Sequence, residues 1–210
     1  MFVFVLYPYV YLLARTAFLA RTASMIDAAR RRLARPIAEG RVELLHGDLL
    51  ELELQHAVDA IISTATFHWI ADHAGLFARL HAALRPGGRL AAQCGGKGNI
   101  DVLRGHAADV LAREPYAEHF RDWRSPWNYA EAGATQALLE RAGFSSAECW
   151  LTDAPRRPEH PREYLATIVL GPHVQQLPGD LRERFMDDVM RELGEPVVVD
   201  YVRLNINASA

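Results

Sequence analysis

No glycine occurs before Gly40 in this chain of 210 residues. A glycine-rich turn, of the kind that lets backbone approach a phosphate or a cofactor carboxylate, is therefore excluded from everything upstream. No GxGxxG follows any candidate strand, which argues against a dinucleotide-dependent oxidoreductase. Cysteine is scarce too: Cys94 and Cys149 lie far apart with no metal-ligand spacing. No metal site is expected, and the pair reads as small core residues of a reduced, cytoplasmic protein, with one disulfide left open. Positive charge is not in excess, since the net charge is −3 and the pI near 6.3. The one basic cluster, Arg30-Arg31-Arg32, reads as a solvated helix end rather than a nucleic-acid contact. There are no repeats and no low-complexity segments.

A bilayer-spanning run is also missing. Met1 to Ala14, MFVFVLYPYVYLLA, is apolar throughout, but a membrane helix needs about 20 such residues. It lacks the positive start and the cleavage site of a secretory signal. Phe2 to Tyr7 suits a buried strand ended by Pro8. The alternatives are a start that is late or read in the wrong frame, joined to the body near Arg21, and, less favoured, a membrane anchor.

With half its residues hydrophobic, a chain of this length can bury one sizeable core. The most informative stretch runs from Val58 to Leu90. Val58–Ser63 is a short apolar run of the kind a parallel sheet buries on both faces. Asp72 can cap the helix that follows, in which Leu76, Phe77, Leu80, Ala83 and Leu84 share a face. Pro86-Gly87-Gly88 is a helix stop, and Arg89–Cys94 begins the next strand. Such a strand–loop–helix–turn–strand order puts ligand chemistry on the loop at the strand's carboxyl end, here Thr64 to Trp69. Elsewhere the periodicity predicts helices over Ser24–Leu33, with Ser24 as cap, and over Asn99–Leu111 and Thr135–Ala142. Further helices are expected from Arg162 and across Leu181–Leu193. Strands are expected at Val42–His46, Ala147–Thr152 and Val197–Asn207, the last antiparallel.

The DAII strand, the Phe67-His68-Trp69 loop and Leu84-Arg85-Pro86-Gly87-Gly88 at this spacing resemble class I S-adenosylmethionine-dependent methyltransferases. The likeness is to the group that includes trans-aconitate methyltransferase, and it extends weakly over Ser24–Asn207. It implies an α/β fold: a Rossmann-like, mostly parallel sheet flanked by helices, with an antiparallel C-terminal strand. The expectation is a single domain over residues 1–210, N-terminally incomplete, in which residues 1–20 replace the usual first strand and glycine loop. The family's acid on the ribose is absent as well, because its position falls near Ala20.

The same resemblance assigns residues. Asp48 matches an adenine contact, with Leu49 packing on the ring; a turn aspartate is the plain alternative. Ser63, Thr64 and Ala65 would face the sulfonium region through their backbone, although relatives often carry asparagine at the place of Thr64. His68 and Trp69 would lie beside the transferable methyl group, with His68 the catalytic candidate. Trp127 and Tyr129, with Trp123, would form part of a substrate lid, and Arg124 or Arg121 could fork onto a substrate carboxylate. Dense aromatics are equally ordinary packing.

The implied cofactor is S-adenosylmethionine and the implied partner a small-molecule substrate, with neither nucleic acid nor membrane expected. A carboxylate acceptor is already ionised, so transfer to it needs positioning and exclusion of water. His68 becomes a base only for a hydroxyl or amine. Losing two charge-assisted hydrogen bonds of the glycine loop costs about 3–6 kcal/mol, on the order of 10²–10⁴ in cofactor affinity. The expectation is thus a small-molecule methyltransferase, inactive or weak as this chain, against the alternative of a non-catalytic remnant or interaction scaffold with the same fold.

Overall fold

The computed structural model describes residues 3–7, 10–14 and 27–210. The expected Ser24 cap and the position of Ala20 lie outside them. The chain divides into two compact units. The first comprises Met1–Lys97, Trp127–Thr152 and Arg203–Ala210, and the second Gly98–Pro126 and Asp153–Val202.

The first unit is built on one seven-stranded sheet: β1 (Val3–Tyr7), β2 (Val10–Ala14), β3 (Glu43–Gly47), β4 (Val58–Thr64), β5 (Leu84–Gly95), β6 (Ser146–Asp153) and β7 (Val202–Ser209). Their order is β3-β2-β1-β4-β5-β7-β6. As expected, β4 and β5 are parallel neighbours, with Ile61 opposite Leu90 and Thr64 opposite Gln93. The closing strand β7 is antiparallel to β5, pairing Gly95 with Arg203 and Leu90 with Ala208. The apolar start is not one strand but two. Only Pro8 and Tyr9 separate β1 from β2. A link that short can join antiparallel strands, whereas parallel ones need a crossover of about a dozen residues. Accordingly β1 runs antiparallel to both β2 and β4, while β2 pairs in parallel with β3.

Residues 27–32 are helical and are named α1; α2 follows at Ala34–Ala38. Helix α3 (His73–Ala83) starts where Asp72 accepts the Gly75 N–H at 2.9 Å, which satisfies one of the orphan donors of a first turn. Its Leu76, Phe77, Leu80 and Ala83 are buried together with Ile61, Leu90, Leu139, Phe144, Leu204 and Ile206 in the core on one sheet face. The helix ends before the Pro-Gly-Gly stop: Leu84 to Gly88 already run within β5, with a register irregularity between Val58 and Ala60. Gly88 is required there, because a Cβ would meet the Arg85 carbonyl at 2.8 Å and the Asp59 carbonyl at 3.1 Å. Helix α5 (Ala132–Arg141) buries Leu139 and stops before Gly143, whose φ is +105°.

The second unit holds α4 (Asp101–Leu111), α6 (Pro161–Tyr164), α7 (Gly171–Gln176) and α8 (Gly179–Leu193). Val197 to Tyr201 do not extend β7 as the apolar pattern predicts. Asp200 turns instead onto the start of α4, accepting from Val102 and Leu103 N–H at 2.8 and 3.3 Å. A carboxylate at a helix N-terminus is favoured there, and the strand begins only at Val202. Tyr116 packs edge-on against Phe185 and donates to Asp188 at 2.7 Å, joining the segment after α4 to α8.

Candidate active site

Open α/β sheets bind ligands at the carboxyl ends of their strands. At the end of β3, Asp48 accepts the Leu50 N–H through Oδ1 at 2.9 Å, and Oδ2 makes no hydrogen bond among the described residues. Leu49 next to it is fully buried in the core, whereas Leu50 is only partly buried. At the end of β4, Ser63 is buried and Thr64 exposed. Ala65 takes a left-handed φ of +52° while its N–H donates to the Gln93 carbonyl at 2.7 Å. A non-glycine residue held in that region costs of order 1–2 kcal/mol, and such strain gathers at functional turns.

The strained turn delivers the Phe67–Trp69 helical turn, whose Phe67 plugs into the core and whose His68 is 8% exposed. His73 holds the Phe67 carbonyl from its Nε2 at 2.9 Å. The Gly95 N–H, at the end of β5, donates to Nδ1 of His68 at 3.2 Å. A ring nitrogen that accepts is unprotonated, so the neutral imidazole carries its hydrogen on Nε2. Burial, helped by the positive charge of Arg203, pushes the His68 pKa down to about 3. His68 is thus neutral near pH 7, with its hydrogen on Nε2.

The segment Trp127–Tyr129 docks on this turn. The Asn128 N–H donates to the His68 carbonyl at 2.8 Å, and its side-chain amide donates to the Ala71 carbonyl at 3.1 Å. His68 then lies 5.4 Å from Trp69 and 5.8 Å from Tyr129 by ring centroids. Trp127 lies 5.7 Å from Trp69 and stacks on Tyr129 at 6.1 Å with the planes 8° apart. Four of the residues assigned from sequence are therefore one aromatic cluster. Arg124 belongs to the second unit, where it is exposed. After burial, the largest influence on His68 is the positive charge of Arg203, which sequence reasoning did not single out. It stands opposite Gly95 in the β5–β7 ladder and is half-buried. Its signal in the sequence is a lone arginine inside the apolar alternation Val202-Arg203-Leu204-Asn205-Ile206.

Residues 7–92 match the family model for a methyltransferase domain. The chain is 39% identical over 187 residues to a trans-aconitate 2-methyltransferase of Acidovorax ebreus, covering 84% of this chain and 67% of that protein. A trans-aconitate 2-methyltransferase of Variovorax paradoxus is 31% identical over 199 residues, covering 86% and 70%. This chain belongs to the class I S-adenosylmethionine-dependent methyltransferases. Within them it falls in the group of the trans-aconitate methyltransferases, and it spans about two thirds of the length of those two relatives. Among solved structures, the YcgJ protein from Bacillus subtilis aligns with a TM-score of 0.52 at 12% identity, over 95% of this chain and 81% of that one, which supports the fold.

The family's cofactor is S-adenosylmethionine. Asp48 Oδ2, which makes no hydrogen bond among the described residues, is an acceptor of the kind the cofactor's adenine amine requires. For its amino-acid end the fit is poor. The family's glycine-rich loop follows its first strand, whereas only Pro8 and Tyr9 stand between β1 and β2 and no glycine precedes Gly40.

Proposed function

We propose that this chain transfers the methyl group of S-adenosylmethionine to a carboxylate oxygen of a small organic acid. The observation that carries the reading is the Gly95–His68 hydrogen bond at 3.2 Å. With Nδ1 accepting that bond and the ring neutral, the imidazole at the centre of the cluster has no lone pair to take a substrate proton. A hydroxyl or amine acceptor needs such a base; a carboxylate does not. When bound, the cofactor supplies a methyl group activated by its sulfonium charge.

The chain's own residues then bind and orient. Asp48 accepts from the adenine amine, with Leu50 rather than the buried Leu49 offering surface to the ring. The backbone of Ser63, Thr64 and Ala65 lines the region of the methyl group. His68 donates from Nε2 to the acceptor carboxylate, and Arg203 supplies the positive charge that sequence reasoning assigned to Arg124. Trp69, Trp127 and Tyr129 wall the acceptor off from water, which strengthens every polar contact inside.

The test is transfer of a labelled methyl group from S-adenosylmethionine by the full chain to trans-aconitate and other small di- and tricarboxylates, with alcohols and amines as controls. Ester formation on the acids alone supports the reading. Transfer to an alcohol or amine overturns it. A methyltransferase fold without catalysis is the second reading, favoured by the missing glycines and the two-residue β1–β2 link. Calorimetry of cofactor binding separates the two: a dissociation constant in the millimolar range is expected for weak catalysis, and no binding for a scaffold.

A further inference from the structure

The second unit contains a cavity of about 590 Å³ whose lining includes Arg104, Gly105, Phe120, Arg121, Trp123 and His173. All of these residues belong to that unit, and the aromatic cluster around His68 contributes none of the described lining. Its volume lies within the range of about 300–1,000 Å³ usual for small-molecule sites. One wall is aromatic: Trp123 and His173 have ring centroids 4.6 Å apart, and Phe120 meets Trp123 edge-on at 5.6 Å. The charge is one-sided. Arg104 and Arg121 both line the cavity, and the single lining carboxylate among the described residues, Asp101, lies 3.4 Å from Arg104. His173 adds no charge, because burial pushes its pKa down to about 4.

The floor is α4, and it carries Gly105 in mid-helix. Glycine there costs about 1 kcal/mol relative to alanine. Packing does not require it, since among the described residues a Cβ at Gly105 would meet no atom within 4 Å beyond its own stretch of helix. The missing side chain leaves open space over the helix backbone beside the two guanidinium groups.

We propose that this cavity binds a flat aromatic carboxylate, its ring lying over Gly105 against Trp123 and Phe120 and its carboxylate held by Arg121 and Arg104. An aromatic wall suits a ring face, and a planar guanidinium fork suits a carboxylate. A small inorganic anion would leave the wall unused. The proposal does not depend on the methyl-transfer reading.

The experiment is isothermal titration calorimetry of the full chain with 2-naphthoate, its neutral analogue 2-naphthylmethanol and inorganic phosphate. Saturable binding of 2-naphthoate at one site is expected, with the alcohol at least tenfold weaker and phosphate silent. Arg121→Gln should weaken 2-naphthoate about tenfold, the loss of one charge-assisted hydrogen bond. Gly105→Leu fills the open space and should abolish binding while leaving the melting temperature unchanged or raised. Trp127→Ala should not change the affinity. Equal affinity for acid and alcohol, unchanged binding in Gly105→Leu, a loss in Trp127→Ala, or no binding of 2-naphthoate would each overturn the proposal. Should Gly105→Leu fail to fold, Arg121→Gln and the neutral analogue still decide it.

Discussion

Replacing His68 by asparagine or by glutamine separates the two nitrogens of its ring. Asparagine can place an oxygen close to the position of Nδ1 and so keep an acceptor for the Gly95 N–H. Glutamine can place its amide close to Nε2, keeping a donor there but giving up the contact at Gly95. Both lose the imidazole's ring contacts with Trp69 and Tyr129, so that loss cancels in the comparison. A buried donor left without its acceptor costs about 1–3 kcal/mol. At about 2–4 °C per kcal/mol for a chain of this size, glutamine should melt roughly 2–12 °C below asparagine. Turnover should rank the other way. If Nε2–H holds the acceptor carboxylate, glutamine retains most of the activity and asparagine loses about tenfold, the equivalent of one hydrogen bond.

The assays are thermal unfolding followed by circular dichroism, and initial rates of methyl transfer to trans-aconitate. The two rankings are expected to cross. Equal losses of 10² or more in both variants, with cofactor binding intact, would mark His68 as a general base. That outcome, or equal stability of the two variants, would refute the assignment of the hydrogen to Nε2.

Trp127→Ala should mainly raise the Michaelis constant for the acid and leave kcat nearly unchanged, as loss of uniform binding does; a steady-state titration of the acid decides it. Stability should fall as the pH drops below about 6.5, the ordinary histidine pKa, because the unfolded chain takes up protons that the native rings refuse. Burial lowers the pKa of His68 to about 3, of His173 to about 4, and also that of His73. Each such group costs about 1.4 kcal/mol per pH unit between its unfolded and folded pKa values. Urea unfolding at pH 7, 6 and 5 measures the slope, and a flat profile would contradict the burial of these rings. Asp72→Ala removes the cap of α3 and should cost about 1 kcal/mol by the same unfolding assay.

The central part of this fold was legible because independent local signals agreed there. The β-branched run at Val58, the Asp72 cap, the helical spacing of Leu76, Phe77 and Leu80, and the glycines before Arg89 all demand the same strand–helix–strand unit. Where one signal stood alone, the reading slipped. The apolar start reads as a strand ended by Pro8, but apolarity carries no direction. The length of the link at Pro8-Tyr9 does, and it makes an antiparallel pair with a strand at Val10–Ala14. Val197 to Tyr201 carry a strand-like alternation, yet Asp200 is spent on the first turn of α4, a partner about a hundred positions away.

The cation of the site shows the same limit at the level of chemistry. Arg124 stands three positions before Trp127 in the chain, and nearness in sequence made it the natural partner for the aromatic loop. A segment with no regular structure transmits no orientation, however, so that spacing says little about where the guanidinium goes. A strand ladder does transmit it. The pairing of Ala91 with Asn207 and Gln93 with Asn205 fixes Arg203 opposite Gly95, and Gly95 is the residue whose N–H holds His68. Arg203 reaches the site through that register, which is set by the burial of Leu204, Ile206 and Ala208 against the core. A slip of one residue would turn the arginine into the core and the leucine out, so the packing that stabilises β7 also places its charge beside the imidazole.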